Sequence, residues 1–304
     1  MKRIVTLIAM AAMALTLASC KKDGVYKPEY RISTIYEYSS VEYQRYVDSS
    51  HLWHTYHVDS VGSHIVERWN WKDNNLDHID YYANGRVDYT IAMVYDGKRL
   101  TRVNNSKDKT YALMEYDGRR LDKMSFYDKN GNALKSYTFH HDDHIFSSID
   151  VEVVDKKSGA EVSDALETFV LNIFGDDSKA LLRAAKNGKG SNYTITLKWK
   201  DDNVVSVRHE NIQRDFKYDS KKNPMKGLLL SLVMPGENEA ATFGNANNVT
   251  TAILFRDGNE ESKKRYSYTY SDDIPVSCSS IEIESVSAGY RNVHTEMQNY
   301  YYEE

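Results

Sequence analysis

The stretch Tyr95–Leu100, with the sequence YDGKRL, decides the fold. It places an aromatic residue before an Asp-Gly turn and an aliphatic residue after it. Asp-Gly readily supplies the positive φ angles that a tight hairpin turn requires. The stretch therefore predicts one β-strand that turns directly into an antiparallel neighbour.

The same unit recurs along the chain. The copies are Trp71–Leu76, Tyr82–Val87, Tyr95–Leu100, Tyr116–Leu121 and Tyr127–Asn132, with looser copies at Trp199–Val204 and Phe255–Glu260. The first five copies begin 11, 13, 21 and 11 residues apart, and Asn104–Ser106 supplies a turn within the longest interval. Strands of this length joined by short turns predict an antiparallel up-and-down meander.

Alternating residues support strands with one packed face. Every second residue of Tyr266–Tyr270 is aromatic, and Asn192–Trp199 alternates in the same way. The first strand candidates are residues 31–39 and 41–47. The sequence thus predicts an all-β protein, with an antiparallel meander that forms a curled sheet or incomplete barrel within a single domain at residues 30–304.

One segment departs from the strand pattern. Apolar residues between Val162 and Phe174 recur with helical spacing, and Asn187-Gly188 is typical of a helix end. The sequence predicts a helical hairpin inserted at residues 161–187. Its apolar stripe is expected to cover one sheet face or an open end of the sheet, and a helix of a partner protein is the alternative.

The N-terminus has the order of a bacterial secretion signal. Lys2 and Arg3 precede the apolar residues Ile4–Leu15, and Leu17–Cys20 (LASC) resembles a lipobox. The resemblance implies removal of residues 1–19, lipidation (palmitate among the acyl chains) of Cys20 and anchoring in the outer membrane. Residues 20–29 are expected to form a lipidated tether.

Composition and charge indicate which functional classes are not expected. The chain has 44 acidic and 39 basic residues, giving a net charge of −5, and the charges are mixed along the sequence. Nucleic-acid binding is not expected because it needs a clustered basic face. Ile4–Ala18 is the only long apolar stretch, so the body after it is expected not to span a membrane as a helix. With Cys20 lipidated, Cys278 would have no disulfide partner.

A further resemblance concerns the second half of the chain. The motifs are Phe216–Gly227 (FKYDSKKNPMKG), Asn247–Thr250 (NNVT), Tyr268–Tyr270 (YTY) and Ile274–Val276 (IPV). In this order they resemble a Bacteroidetes family of lipoproteins of unknown function with a porin-like antiparallel β fold. The hairpin units also resemble the YD repeats of Rhs-type shells. The family resemblance implies a fold and an envelope location, and it implies no activity or catalytic residues.

Motifs for catalysis and cofactor binding are absent from the sequence. There is no nucleophile elbow, zinc-protease helix, Walker loop or dinucleotide fingerprint. No cofactor and no metal site are expected. The weak metal candidates are His140, His141, Asp143 and His144, whose residue types could bind a divalent ion but which occupy a predicted turn.

Tyrosine is abundant, with 24 Tyr against 8 Phe. A tyrosine packs its ring and keeps a hydrated hydroxyl, so it suits both a half-hydrated sheet and a ligand-binding face. Many tyrosines occupy the fixed repeat position, which favours a structural role. The candidates for a ligand-stacking platform are Trp53, Trp69, Trp71 and Tyr82.

These patterns favour a non-enzymatic envelope lipoprotein that acts as a scaffold or as a binding protein for glycan, peptide or a partner envelope protein. The alternative is a hydrolase acting on envelope or dietary polymer, with its site inside the curled sheet. Paired carboxylates for such a reaction are defined by their separation in space, which the sequence leaves open.

Overall fold

A computed structural model describes residues 23–47, 53–55, 59–60, 63–142, 145–153, 193–228, 245–287 and 290–303. The predicted signal peptide, Cys20 and the predicted helical hairpin at 161–187 lie outside the described residues. The strands are β1 (Ile32–Val47), β2 (Trp53–Thr55), β3 (Asp59–Ser60), β4 (His64–Lys72), β5 (Asn75–Ala83), β6 (Arg86–Asp96), β7 (Arg99–Asn105), β8 (Tyr111–Asp117), β9 (Arg120–Tyr127), β10 (Ala133–Asp142), β11 (Ile145–Val153), β12 (Tyr193–Lys200), β13 (Asn203–His209), β14 (Ile212–Lys222), β15 (Asn247–Arg256), β16 (Asn259–Ser271), β17 (Ile274–Ser287) and β18 (Tyr290–Tyr302).

The strands form a closed antiparallel barrel. From β4 to β18, each strand pairs with the next along the chain, and β1 pairs with β4 on one side and with β18 on the other. The short strands β2 and β3 pair with the part of β1 that extends beyond β4. They therefore occupy the same position around the barrel as β4. The barrel therefore has 16 strands around its circumference.

The antiparallel meander predicted from the sequence is confirmed, and the curled sheet or incomplete barrel is wrong. Closure depends on β1 and β18, whose paired residues Ile32 and Tyr302 come from opposite ends of the chain. A closed sheet leaves no edge strand with unpaired backbone groups. No local pattern reports a pairing between such distant segments, which explains the error.

Several hairpin turns have the backbone geometry that the repeat predicts, whereas in the copies at Tyr95–Leu100 and Tyr116–Leu121 only Gly97 and Gly118 have positive φ. Both central residues have positive φ in the turns Asp73-Asn74, Asn84-Gly85, Asp201-Asp202 and Asp257-Gly258. Such turns match the right-handed twist of the two strands they join. In Asp201-Asp202 neither residue is glycine, so the turn uses the tolerance of Asp for the left-handed region.

A β-bulge follows many of these turns. In the β6–β7 hairpin, Tyr95 faces Leu100 while Val94 faces Arg102, so Thr101 is the extra residue. The β8–β9 hairpin repeats this arrangement, with Tyr116 facing Leu121. Because a bulge increases the local twist, its repetition favours a sheet that curves into a barrel.

The core lies on the inner face of the barrel. Along β6, the buried residues Ile91 and Met93 alternate with the half-buried Ala92 and the exposed Val94. Buried apolar residues from β1, from β4 through β15 and from β17 form a single cluster with Tyr300 of β18, and the partly buried Tyr266 and Tyr268 of β16 pack against it. The inner face is the one face on which side chains from all sides of a closed sheet can meet. Within the described residues, no helix has the length and apolar character needed to cross a membrane.

Candidate functional site

The two ends of the barrel differ. At one end lie the hairpins β4–β5, β6–β7, β8–β9, β12–β13 and β16–β17, together with the first residues of the β14–β15 connection. We call this end the plugged rim, because the N-terminal segment Asp23–Tyr30 packs there. The hairpins β5–β6, β9–β10, β13–β14 and β15–β16 lie at the opposite rim.

A ring of hydrogen bonds surrounds the plugged rim. In each bond an aromatic side chain contacts a backbone carbonyl of the neighbouring hairpin, over distances of 2.5 to 3.0 Å. The pairs are Trp71 with Ile32, Tyr95 with Leu76, Tyr116 with Leu100, His141 with Leu121, Trp199 with Phe146, Tyr218 with Val204, Tyr268 with Val249 and Tyr302 with Pro275.

These eight bonds link each even-numbered strand from β4 to β18 to the strand that precedes it around the barrel. Burial raises the pKa of the Tyr95, Tyr116 and Tyr218 hydroxyls, so they remain protonated donors. At the plugged rim, the aromatic residue of the repeat, as in Trp71, Tyr95, Tyr116 and Trp199, is therefore a structural clasp between adjacent hairpins.

The N-terminal segment fastens to this rim through its backbone. The Leu100 amide donates to the Gly24 carbonyl over 2.8 Å, and the Asp23 amide donates to the Arg119 carbonyl over 2.9 Å. The Asp23 carboxylate accepts from the Leu121 amide over 2.8 Å. Asp23 is thus held between the β6–β7 and β8–β9 hairpins.

Farther along, the segment reaches another part of the rim. The buried Tyr26 packs on the Trp71 ring, with centroids 5.8 Å apart, and donates its hydroxyl to the Pro224 carbonyl over 2.9 Å. Glu29 pairs with Lys222 at 2.6 Å. The segment therefore extends from the β6–β9 hairpins to the β14–β15 connection, across the plugged rim.

Gly24 is required by this packing. Its φ of +77° lies in the left-handed region, and a Cβ atom there would lie 2.0 Å from the Tyr116 hydroxyl oxygen. Glycine alone combines this backbone conformation with so close an approach. The clasp residue Tyr116 and the N-terminal segment therefore fit together as one unit.

The inner face changes character with distance from the plugged rim. The first two inward positions of most strands are apolar or aromatic, such as Trp71 and Trp69 on β4 or Tyr218 and Phe216 on β14. On β4, β10, β14 and β16 a charged residue lies farther from this rim on the same face. These residues are Glu67, Lys135, Arg214 and Lys264, of which the three bases are 2% to 5% exposed.

The buried bases are surrounded by rings. The Lys135 ammonium lies 4.3 Å from the Phe126 centroid and 5.0 Å from the Tyr137 centroid, and burial lowers the pKa of Lys135. The Arg214 guanidinium lies 5.9 Å from the Phe216 ring. Cation–π contacts partly offset the loss of hydration in such places.

Glu67 is the centre of a compact cluster on the inner face. Backbone register aligns Glu67 on β4 with Tyr81 on β5, and Tyr81 with Tyr89 on β6. The Tyr81 and Tyr89 rings are stacked, with centroids 4.6 Å apart and an interplanar angle of 9°. The buried Trp69 donates its indole N–H to Glu67 Oε2 over 2.7 Å. We call these four residues the Glu67 cluster.

Electrostatics single out Glu67. Burial raises its pKa to about 7, while the bond from Trp69 lowers it to a smaller extent. Burial and the Glu67 charge raise the pKa of Tyr81. The Tyr81 hydroxyl is buried and makes no hydrogen bond within the described residues. A carboxylic acid poised near neutral pH thus lies beside an unused hydroxyl group.

The residues predicted to form a stacking platform are only partly together. Trp69 and Trp71 both face inward from β4, where Trp69 is buried and Trp71 is half-buried under Tyr26. Tyr82 follows the inward-facing Tyr81 and therefore lies on the outer face, where the Arg68 guanidinium is 5.7 Å from its ring. Trp53 pairs through its backbone with Val47. Ligand stacking at these four positions stays a prediction.

The two described histidines among the metal-ligand candidates contact different groups. His140 contacts the Asp150 carboxylate over 2.7 Å, whereas His141 faces inward and contacts the Leu121 carbonyl. Asp143 and His144 lie outside the described residues. Among the residues that the structure describes, no three His, Cys, Asp or Glu side chains are grouped as a metal site.

Sequence reasoning missed the Glu67 cluster, although one signal was present. Glu67, Trp69 and Trp71 alternate along β4, so the spacing that gives the two tryptophans one face also includes Glu67. The pairing with Tyr81 and Tyr89 depends on the bulged registers of two hairpins. Those registers are not evident from the sequence.

Fold and site together define a closed antiparallel β-barrel with one plugged rim and a carboxylate on its inner face. No family model matches the chain, and no curated protein matches it. Among solved structures, the chain is similar to a porin-like protein from Bacteroides uniformis ATCC 8492. The two are 16% identical, with a TM-score of 0.48, and the match covers 88% of this chain and 96% of the other.

Proposed function

We propose that the protein is a non-enzymatic outer-membrane lipoprotein that binds a glycan, a peptide or a partner envelope protein through the half of the barrel distant from the plugged rim. Cys20 is the proposed lipid anchor. The plugged rim would then face the membrane, and the Glu67 side of the lumen and the opposite rim would face away from it.

The position of Asp23 is the observation that favours this arrangement. Asp23 is fixed to the plugged rim by its backbone and its carboxylate, and Cys20 precedes it by three residues. Three extended residues reach about 10 Å. A lipid on Cys20 therefore brings the plugged rim to the bilayer surface.

Charge near Asp23 supports the same orientation. Lys98, Arg119 and Arg120 are exposed on the two hairpins that hold Asp23. Lys21 and Lys22 add two bases beside the proposed anchor. Basic residues close to a lipid anchor strengthen binding to anionic headgroups.

Packing at the plugged rim favours binding over conduction. At this rim the large side chains of Leu76 and Leu121 are fully buried, and Gly24 and Tyr26 of the N-terminal segment are buried as well. A water-filled pore keeps a polar lumen along its length. An interior that is apolar at one end and charged deeper inside better suits a protein that takes a ligand from the other end.

Lipidation is tested by growing cells with an alkyne fatty acid and comparing the wild type with Cys20→Ala. We expect label and membrane association in the wild type and neither in the variant. Cys278→Ala is the matched control because Cys278 is buried, and it should retain the label. Equal labelling of Cys20→Ala and the wild type would contradict the anchor.

Binding is tested with a soluble form that begins at Asp23, applied to glycan and peptide arrays. We expect selective retention of one ligand class. Heat-unfolded protein is the control for nonspecific adsorption. If neither array retains the folded protein and no envelope partner cross-links to the anchored form, the binding proposal fails.

A hydrolase is the second candidate, and the raised pKa of Glu67 is the observation that favours it, because a general acid must be protonated near the working pH. Turnover of chromogenic glycosides by the wild type, abolished in Glu67→Gln, would support this alternative. Absence of turnover across the panel would favour binding.

A further inference from the structure

Glu67 is a carboxylate in a poorly hydrated place. Its oxygen Oε2 accepts the indole N–H of Trp69, and the neighbouring groups that interact electrostatically with it are the hydroxyls of Tyr81 and Tyr89. No Lys, Arg or His in the described part of the chain forms an ion pair with Glu67 or contributes to the shift of its pKa. A poorly hydrated carboxylate is stabilised by a cation, and the described residues supply none within ion-pair distance of Glu67.

Aromatic rings border the same carboxylate. Tyr81 and Tyr89 stack side by side on the row that begins with Glu67, and Trp69 lies on the same strand as Glu67. The rim residue Lys107 already has its ammonium 5.1 Å from the Tyr89 centroid, while its own salt bridge is with Asp88. Lys107 thus occupies the Tyr89 ring on that side, so the contacts left for a ligand are the Glu67 carboxylate and the Tyr81 hydroxyl.

The Tyr81 hydroxyl supplies a second polar contact. Tyr81 is 8% exposed, and its oxygen has no hydrogen-bond partner within the described residues. A buried hydroxyl that stays unpaired is unfavourable by itself. A ligand atom that hydrogen-bonds both to this oxygen and to the Glu67 carboxylate would satisfy both groups.

We infer that the Glu67 cluster is a binding site for a primary ammonium group, which donates hydrogen bonds to the Glu67 carboxylate and to the Tyr81 hydroxyl oxygen. Glu67 is half-buried, so part of the residue remains accessible to a ligand. An amino sugar and a lysine side chain are the two ligand sources with this chemistry. The inference rests on the proposed binding function and names the chemistry of its ligand.

The test uses isothermal titration calorimetry on the folded, lipid-free protein with four probes in matched pairs. Glucosamine is compared with N-acetylglucosamine, and N-acetyl-lysine methylamide with its ε-acetylated form, because acetylation removes the positive charge. We expect saturable binding of at least one charged probe and binding at least tenfold weaker for its neutral partner. Glucosamine and the lysine probe distinguish the sugar from the peptide source.

Two variants locate the site. Glu67→Gln keeps an acceptor for Trp69 but loses the charge, and we expect at least a tenfold weaker affinity. Tyr81→Phe removes a hydroxyl that makes no bond within the described residues, so the fold should be retained while affinity falls about threefold. Glu115→Gln, at an exposed position of β8, is the matched control and should bind as the wild type does.

Proton release provides an independent readout. Glu67 has a pKa of about 7, and the lysine probe stays protonated up to about pH 9, so binding of this probe should release about half a proton per site at pH 7 and almost none at pH 8.5. Titrations in buffers with different ionisation enthalpies measure this number. Equal affinity of Glu67→Gln and the wild type, equal binding of charged and neutral probes, or no saturable binding would overturn the inference. Fatty-acid labelling and array binding are independent of Glu67, so they would still test the proposed function.

Discussion

The two rims of the barrel use the same sequence unit in opposite ways. At the plugged rim, Tyr95 and Tyr116 face inward and bond to the neighbouring hairpin. At the opposite rim, Tyr82 and Tyr127 follow the inward-facing Tyr81 and Phe126, so they lie on the outer face. Tyr127 stacks on Tyr111 with centroids 5.1 Å apart, and the Tyr111 ring also contacts Arg102 at 3.9 Å.

Strand length explains the difference. Side chains alternate between the inner and the outer face along a strand. Whether the aromatic side chain of a unit faces inward or outward therefore depends on the number of residues and bulges between one turn and the next. The unit therefore encodes a hairpin, and the register decides whether its aromatic residue becomes a clasp or a surface residue.

The largest effect is expected from Gly24→Ala. The new Cβ would displace the Tyr116 hydroxyl and occupy a left-handed φ, so the clasp and the N-terminal segment should both loosen. We expect a loss of about 2 to 4 kcal/mol in the free energy of unfolding, measured by urea denaturation. Gly85→Ala is the control at the opposite rim, where φ is +72° and no atom lies within 4 Å of the added Cβ.

The control should cost about 1 kcal/mol, which is the backbone penalty alone. Equal losses for Gly24→Ala and Gly85→Ala would mean that the N-terminal segment adds nothing to the stability of the plugged rim. Faster amide hydrogen exchange at Leu100 in Gly24→Ala would locate the loss, because that amide donates to the Gly24 carbonyl.

The next largest effect is a pH dependence of the free energy of unfolding, which is expected from Glu67 and not from the apolar residues beside the plugged rim. Glu67 has a pKa of about 7 in the folded chain, whereas its ordinary value is 4.5. Between these two pH values, the folded chain binds a proton at Glu67 that the unfolded chain has released. Stability conferred by protonated Glu67 is present below about pH 4.5 and is lost as pH rises through 7. The loss amounts to about 1 to 3 kcal/mol.

Glu67→Gln should remove this pH dependence because glutamine does not titrate. At pH 8 the variant should be more stable than the wild type by about 1 to 3 kcal/mol, and at pH 4.5 the two should agree closely. Urea denaturation at pH 4.5, 6 and 8 measures the difference. The same slope in both proteins would show that Glu67 is not the group responsible.

A smaller effect is expected for a single clasp. Tyr218→Phe keeps the ring and removes the hydrogen bond to the Val204 carbonyl, which should cost about 1 kcal/mol in unfolding free energy. Tyr127→Phe is the matched change at the opposite rim. It retains the stacking on Tyr111 and should change stability by less than about 0.5 kcal/mol. Equal losses of stability in Tyr218→Phe and Tyr127→Phe would show that the Tyr218 hydrogen bond does not stabilise the plugged rim.

The sequence is informative where local physics decides the structure. The unit at Trp71–Leu76 predicts its hairpin because the turn needs positive φ, and Asp73 and Asn74 adopt it. Closure and the N-terminal segment were missed because they depend on pairing between distant residues, such as Asp23 with Arg119. The Glu67 cluster is only partly predictable from the sequence. Alternation along β4 places Glu67 on the same face as Trp69 and Trp71, but it does not identify Tyr81 as its neighbour.

The smallest effect should come from the surface pair on the N-terminal segment. Lys222 and Glu29 are 2.6 Å apart but more than half exposed, and exposed ion pairs contribute little because water and salt screen them. Lys222→Met should leave amide exchange at Leu100 and Leu121 unchanged, since those amides bond to Gly24 and Asp23. Accelerated exchange at both amides would instead mean that the ion pair holds the segment across the rim.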